Sequence, residues 1–155
     1  MYVFRSEGRV IGVSKRVLFV CTHNSCRSQM AEALLRYRFG EDFETFSAGT
    51  APSRVNPWAI RVMGELGVDI SGQISEHIEE YLGEPFDLVV TTCDSARDTC
   101  PVVPGAAAIV HHSFEDPSAA AGTSEQILTA FRRVRDEIDR WIQQAFGGGR
   151  LPESD

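Results

Sequence analysis

The chain has 155 residues, enough for one compact domain and too few for two that each bury a sizeable core. Fifteen basic against 22 acidic side chains leave a net charge of −7, and hydrophobic residues make up 43% of the chain. These figures exclude a disordered chain, a coiled coil and a small disulfide scaffold, and they argue against nucleic acid or an anionic membrane as a partner. No stretch reaches the roughly 18 to 20 apolar residues of a membrane span. Residues 1–15 lack the continuous apolar region and small-residue cleavage site of a secretory signal. The expected location is the cytoplasm, where the four cysteines Cys21, Cys26, Cys93 and Cys100 rest as thiols unless they do redox or metal chemistry.

In chain order, the first strong element is Arg16–Cys21, a β-branched apolar run of the kind buried in a parallel sheet. A polar turn leads into a helix over Cys26–Phe39, with Met30, Ala33, Leu34 and Tyr37 on one face and Gly40 as its C-terminal cap. Glu44–Ala48 reads as a second strand. Pro57 opens a helix to about Leu66, with Ile60 and Met63 inward and Gly67 at its end. Glu76–Leu82 fits a short helix, Phe86–Thr91 a third strand and Ala107–His111 a fourth. Thr123-Ser124-Glu125-Gln126 has the form of a capping box before a long helix whose apolar stripe runs from Ile127 to Ile142. Its Arg132, Arg133, Arg135 and Arg140 alternate with acids and read as a solvated face of i,i+4 pairs. Strands alternating with helices predict an α/β, doubly wound four-stranded parallel sheet, with the ligand beyond the carboxyl ends of its strands. The boundaries are a 1–15 extension, a single catalytic domain over 16–146 and a flexible tail over 147–155.

Three segments begin at those strand ends. Thr22-His23-Asn24-Ser25-Cys26-Arg27-Ser28 joins the first strand to the first helix, where successive backbone N–H groups and the helix dipole converge on one point. A tetrahedral oxyanion fits such a cradle. The same donors, Arg27 and the Ser28 hydroxyl stabilise a thiolate at Cys21 and make it a nucleophile, while Arg27 grips two anion oxygens. Taken alone, Cys-x5-Arg is a weak signal; its position between a buried strand and a helix gives it weight. His23 reads as an exposed loop histidine and Cys26 as a small buried side chain. Cys93 and Cys100 follow the third strand. A helix between them sets their Cα atoms roughly 10 Å apart, beyond the ~7 Å limit of a disulfide, so they join only if the segment unwinds. Core cysteines, a redox pair, or half a zinc site with His111 and His112 all fit them. Asp116-Pro117 follows the fourth strand, where a carboxylate can protonate a departing oxygen, although Asp-Pro is often only a turn.

The run Leu18–Met30, with Ser47-Ala48-Gly49, Val55-Asn56-Pro57, Thr92-Cys93, Cys100-Pro101 and Asp116-Pro117, resembles the thioredoxin-coupled arsenate reductases, a family with the low-molecular-weight protein tyrosine phosphatase fold. The resemblance covers residues 16–146. It implies arsenate as substrate (phosphate or sulfate as analogues), thioredoxin as reductant, Cys21, Cys93 and Cys100 as relay cysteines, Asp116 as general acid, and Asn24 and Ser28 as organisers of the loop. That chemistry needs no metal or organic cofactor, and a monomer is expected. Some members bind potassium near positions matching Asn24, Glu32, Ser47 and Glu76, the last with a longer side chain than usual. His23 stands where the family often has glycine. Two rivals remain at this point. A tyrosine phosphatase needs only Cys21, Arg27 and Asp116, but usually carries aromatics after Asp-Pro, where this chain has Ser118-Ala119-Ala120-Ala121. A thiol sensor or metal-binding regulator would oxidise or retain metal without turnover.

Overall fold

The computed structural model describes residues 2–4, 10–12, 14–92 and 103–153. Strands β1 (Tyr2–Phe4) and β2 (Val10–Gly12) pair antiparallel as a separate two-stranded sheet. The main sheet contains β3 (Lys15–Cys21), β4 (Phe43–Gly49), β5 (Leu88–Thr91) and β6 (Ile109–His111) in the order β4-β3-β5-β6, all parallel. The helices are α1 (Arg27–Phe39), α2 (Pro57–Gly64) and α3 (Ser124–Phe146). Glu76–Leu82 contains only a 3-10 turn, Ile78–Tyr81.

Period-two alternation explains why the inner strands are apolar throughout. Val17 and Phe19 of β3, with Leu88 and Val90 of β5, face the core under α1, α2 and α3. Leu18, Val20 and Val89 face the opposite layer, with Ala48, Ile78, Phe86 and Val103. A strand buried on both sides has no polar positions to spare. Register then brings the carboxyl ends together: Cys21 lies opposite Gly49, Val20 opposite Thr91, and Thr91 opposite His111.

Several local expectations are corrected. Helix α1 begins at Arg27, with Cys26 as an N-cap that makes no side-chain cap bond, and Tyr37 is 54% exposed instead of inward. Gly40 is the C-cap of α1, as expected, in a right-handed conformation at φ −63°; a Cβ there would lie 2.4 Å from the Arg36 carbonyl oxygen. Helix α2 ends at Gly64 instead of about Leu66; it buries Ala59, Val62 and Met63, and the half-buried Ile60 packs against the same core, as expected. Gly67, at φ +78°, supplies the left-handed turn that follows. Gly147–Gly149 form a 3-10 turn, the Gly149 carbonyl accepts from Lys15 Nζ, and Leu151 packs against the core.

The capping box of α3 forms in both directions, Gln126 N to Thr123 Oγ1 at 3.2 Å and Thr123 N to Gln126 Oε1 at 2.8 Å. The arginines of α3 pair within the helix only as Arg132 with Glu125 and Arg135 with Asp136 among the described residues, and otherwise reach outside it. Arg132 binds Glu65 through Nε and Nη2, Arg133 reaches Glu115, and buried Arg135 donates to the Val62 carbonyl and to Glu65. Hydrogen bonds from Arg132, then from Arg135, pull the Glu65 carboxyl down to about 2 from 4.5. A depressed carboxylate contributes stability that is complete above its unfolded value and fades as pH falls from about 4.5 toward 2. Because Glu65 is 35% exposed, the contribution is reduced by solvent screening. Glu65→Gln is therefore expected to lower Tm by about 2–4 °C at pH 7, with the gap to the wild type closing toward pH 2 in thermal melts.

Candidate active site

The loop 22–26 leaves β3 at Cys21 and enters α1. Its carbonyls are taken by neighbouring loops: Thr22 O accepts from Ala51 N at 2.8 Å, His23 O from Ser53 N at 3.1 Å and Ser75 Oγ at 3.0 Å, and Ser25 O from Asn56 N at 3.0 Å. The amide of Gln29 donates to both the backbone and side-chain oxygens of Asn24. With its carbonyls engaged by neighbouring segments, the loop turns the Asn24 N–H toward the sulfur it surrounds, donating to Cys21 Sγ at 3.2 Å. Asn24 sits at φ +47°, a left-handed conformation that its side chain helps hold by accepting from Glu76 N and donating to Ser28 Oγ.

Beneath the loop lies Gly49. A Cβ there would come 2.5 Å from the Thr22 carbonyl oxygen and 2.9 Å from Asn24 N. No side chain fits that floor.

Cys21 is 2% exposed, and its sulfur lies 2.9 Å from Ser28 Oγ. The Asn24 amide donates to that same hydroxyl, which leaves the hydroxyl proton available to the sulfur. Arg27 extends over the cleft, with Nη1 donating to the Phe114 carbonyl and Nη2 3.5 Å from Asp116 Oδ2. Its Nε is buried without a hydrogen-bond partner. The other oxygen of Asp116 accepts from both the N–H and the hydroxyl of Ser118, at 3.0 and 2.7 Å. A small cleft is lined by Cys21, His23, Ser25, Cys26, Arg27, Asp116 and Ser118. A cleft with a sulfur at its base, a guanidinium above it and a strand-to-helix loop along its side is an arrangement for a small oxyanion.

The fold thus brings together Cys21, Arg27, Asp116 and the whole of Thr22–Ser28. Cys93 and Cys100 lie outside the described residues. Burial, first, pushes the Cys26 thiol up to about 12, against a smaller opposing effect of Ser25. Cys26 therefore remains a thiol at any ordinary pH. Brief alkylation of the folded protein at pH 8, followed by peptide mapping, is expected to leave Cys26 at least tenfold less modified than in urea. The zinc alternative meets an obstacle at the histidines. His111 Nδ1 is 2.7 Å from Thr91 Oγ1 and Nε2 3.0 Å from Ser113 Oγ, while His112 stacks on Trp141. Among the described residues no group of three or more His, Cys, Asp or Glu could hold a metal ion. None of the helices there is long and apolar enough to cross a membrane.

The potassium set implied by the resemblance is already engaged. Asn24 Oδ1 accepts from Glu76 N and Gln29, Glu32 binds Ser47 Oγ and the Arg36 guanidinium, and Glu76 Oε1 accepts from the Tyr81 hydroxyl. Of the two carboxylates in the set, Glu32 already carries the Arg36 guanidinium, while Glu76 is held by the Tyr81 hydroxyl.

Gln29, Ser75 and the Phe114 carbonyl complete the site without having stood out in the sequence. Only Gln29 carried a signal, as a polar residue on the helix turn nearest the loop.

The model of the family described as low molecular weight phosphotyrosine protein phosphatase matches residues 16–151. The chain belongs to that family. Within it, this phosphatase-fold chain is 46% identical over 129 residues to an arsenate reductase of Halalkalibacterium halodurans, covering 83% of this chain and 93% of that one. A solved arsenate reductase in the phosphate binding state superposes with a TM-score of 0.72 at 35% identity, covering 84% of this chain and 95% of the other. A low molecular weight protein tyrosine phosphatase from T. tengcongensis superposes with a TM-score of 0.68 at 28% identity, covering 84% and 97%. The expected fold, a four-stranded parallel sheet flanked by helices, is the one these relatives share.

Proposed function

We propose that this protein reduces arsenate to arsenite through a three-cysteine relay, with thioredoxin as the reductant. The observation that carries the reading is the Cys21–Arg27–Asp116 cleft, walled by the small Ser118 where an aryl phosphate would need an aromatic neighbour. The relatives that are named arsenate reductases support it.

Cys21, as thiolate, attacks the arsenic of an arsenate whose oxygens lie on the loop N–H groups and Arg27. Asp116 gives a proton to the departing oxygen, which leaves as water. The Cys93 thiolate then attacks Cys21 Sγ. A sulfur–sulfur bond forms, the sulfur–arsenic bond breaks, and the electron pair of that bond stays on arsenic, which leaves as arsenite. Cys100 attacks Cys93, freeing Cys21 and forming Cys93–Cys100, and a thioredoxin dithiol reduces that disulfide. The chemistry needs no metal or organic cofactor. The same reading has the protein acting as a cytoplasmic monomer.

Hydrolysis of phosphate monoesters is the second reading, favoured by the family and by the superposition on a tyrosine phosphatase. Thioredoxin, its reductase and NADPH separate the two readings. Arsenate-dependent NADPH consumption is expected from the wild type. Cys93→Ser is expected to stop it and Cys100→Ser to release at most one arsenite per enzyme with Cys21–Cys93 trapped, while both keep any hydrolysis of a phosphate ester. Sustained thioredoxin-driven turnover by both variants would remove the relay.

A further inference from the structure

One polar network runs unbroken from the Cys21 loop to the outer surface of α1. Cys21 Sγ meets Ser28 Oγ, and Ser28 accepts from the Asn24 amide. Asn24 accepts from Gln29, whose own oxygen accepts from Gln73 Nε2 at 2.6 Å. Gln73 Oε1 accepts from Arg36 Nη1 at 3.2 Å, and Arg36 Nη2 binds both the Glu32 carboxylate and the Thr45 carbonyl. Glu32 closes the circuit onto β4 by accepting from Ser47 Oγ. Ser28, Asn24 and Gln29 are fully buried, and the Glu32 side chain is 14% exposed. The only positive charge bonded to this network is the Arg36 guanidinium, among the described residues. A carboxylate so poorly solvated needs a cation or an equivalent set of donors.

We propose that Arg36 is a built-in cation at the Glu32–Ser47 site, standing where a monovalent metal ion would otherwise be needed to hold the loop-support network together. Its planar fork does three things at once that a bare ion does by coordination: it neutralises Glu32, ties α1 to β4 through the Thr45 carbonyl, and holds the Gln73 side chain that orients Gln29 and, through it, Asn24. An ion added at Glu32 would meet the like charge of Arg36 and a carboxylate whose two oxygens already accept from Arg36 and Ser47. Arg36 is thus a positioning residue for the loop, and the inference does not depend on which reaction the loop performs.

The test compares the full-length wild type, Arg36→Lys and Arg36→Gln in potassium, sodium and choline chloride at matched ionic strength. Thermal melts and hydrogen exchange of the peptide spanning Cys21–Ser28 are the two readouts. Wild type and Arg36→Lys are expected to melt at the same temperature in all three salts. Arg36→Gln is expected to melt roughly 2–4 °C lower in choline, with faster exchange in the loop peptide, and to recover both properties saturably as potassium is added. A wild type that gains as much from potassium as Arg36→Gln would overturn the proposal, since the ion then binds alongside Arg36. So would an Arg36→Gln protein indistinguishable from wild type in choline, or one whose loss no alkali cation restores.

Discussion

Replacing Cys21 by serine is expected to reduce arsenate turnover and phosphate-ester hydrolysis to background together, a loss of at least a thousandfold. The loop delivers its donors to one atom: Ser28 Oγ at 2.9 Å and Asn24 N at 3.2 Å from the sulfur. A serine hydroxyl in that position is not ionised at neutral pH, so the nucleophile disappears while the cradle survives. Inorganic phosphate should still protect the variant in thermal melts, which separates lost chemistry from a collapsed loop. Arg27→Lys should fail nearly as badly, because a point charge cannot bridge Phe114 O, Asp116 and two anion oxygens as the fork does. Arsenate turnover by Cys21→Ser above background would remove Cys21 from the mechanism.

Asp116→Asn is expected to slow hydrolysis of a phosphate ester by roughly 10²- to 10⁴-fold, the usual contribution of a positioned acid. The substitution preserves an oxygen for Ser118 N and Oγ, so the turn that begins at Pro117 is retained. It removes the carboxylate 3.5 Å from Arg27 Nη2, which frees the guanidinium for the anion. Phosphate affinity, measured by calorimetry, should hold or rise while turnover falls. A parallel fall in both would make Asp116 a residue that shapes the cleft instead of one that moves a proton.

The elements legible in the sequence were those whose pattern has a local cause. The apolar run at Val17–Val20 could only be a strand buried on both faces, and Thr123 with Gln126 announced the start of α3. The loop was legible for a similar reason: a cysteine, an arginine and a serine between strand and helix have a short set of uses. What escaped depends on distance in space. The arginines of α3 looked like a solvated ladder because nothing in their spacing reveals that Glu65 and the Val62 carbonyl lie opposite. Gly40 was legible as the C-cap of α1, but not the reason for a glycine there, its closeness to the Arg36 carbonyl. Within the site, Gly49 and Ser75 act on the loop from other segments, across 27 and 52 positions, and sequence spacing carries no trace of that.

The loop's carbonyls are held from outside by Ala51, Ser53, Ser75, Asn56 and Gln29 before any ligand arrives. A tetrahedral oxyanion has five heavy atoms, and at a ceiling of about 1.5 kcal/mol per atom it can supply at most about 7.5 kcal/mol. Freezing even a few backbone residues on arrival costs about 1–2 kcal/mol each, which would consume most of that. An ion this small can be captured only by a receptor that is already rigid. The second layer of loops is therefore what lets so few atoms be recognised at all, and loosening it should weaken affinity for every tetrahedral anion alike, whatever its central atom.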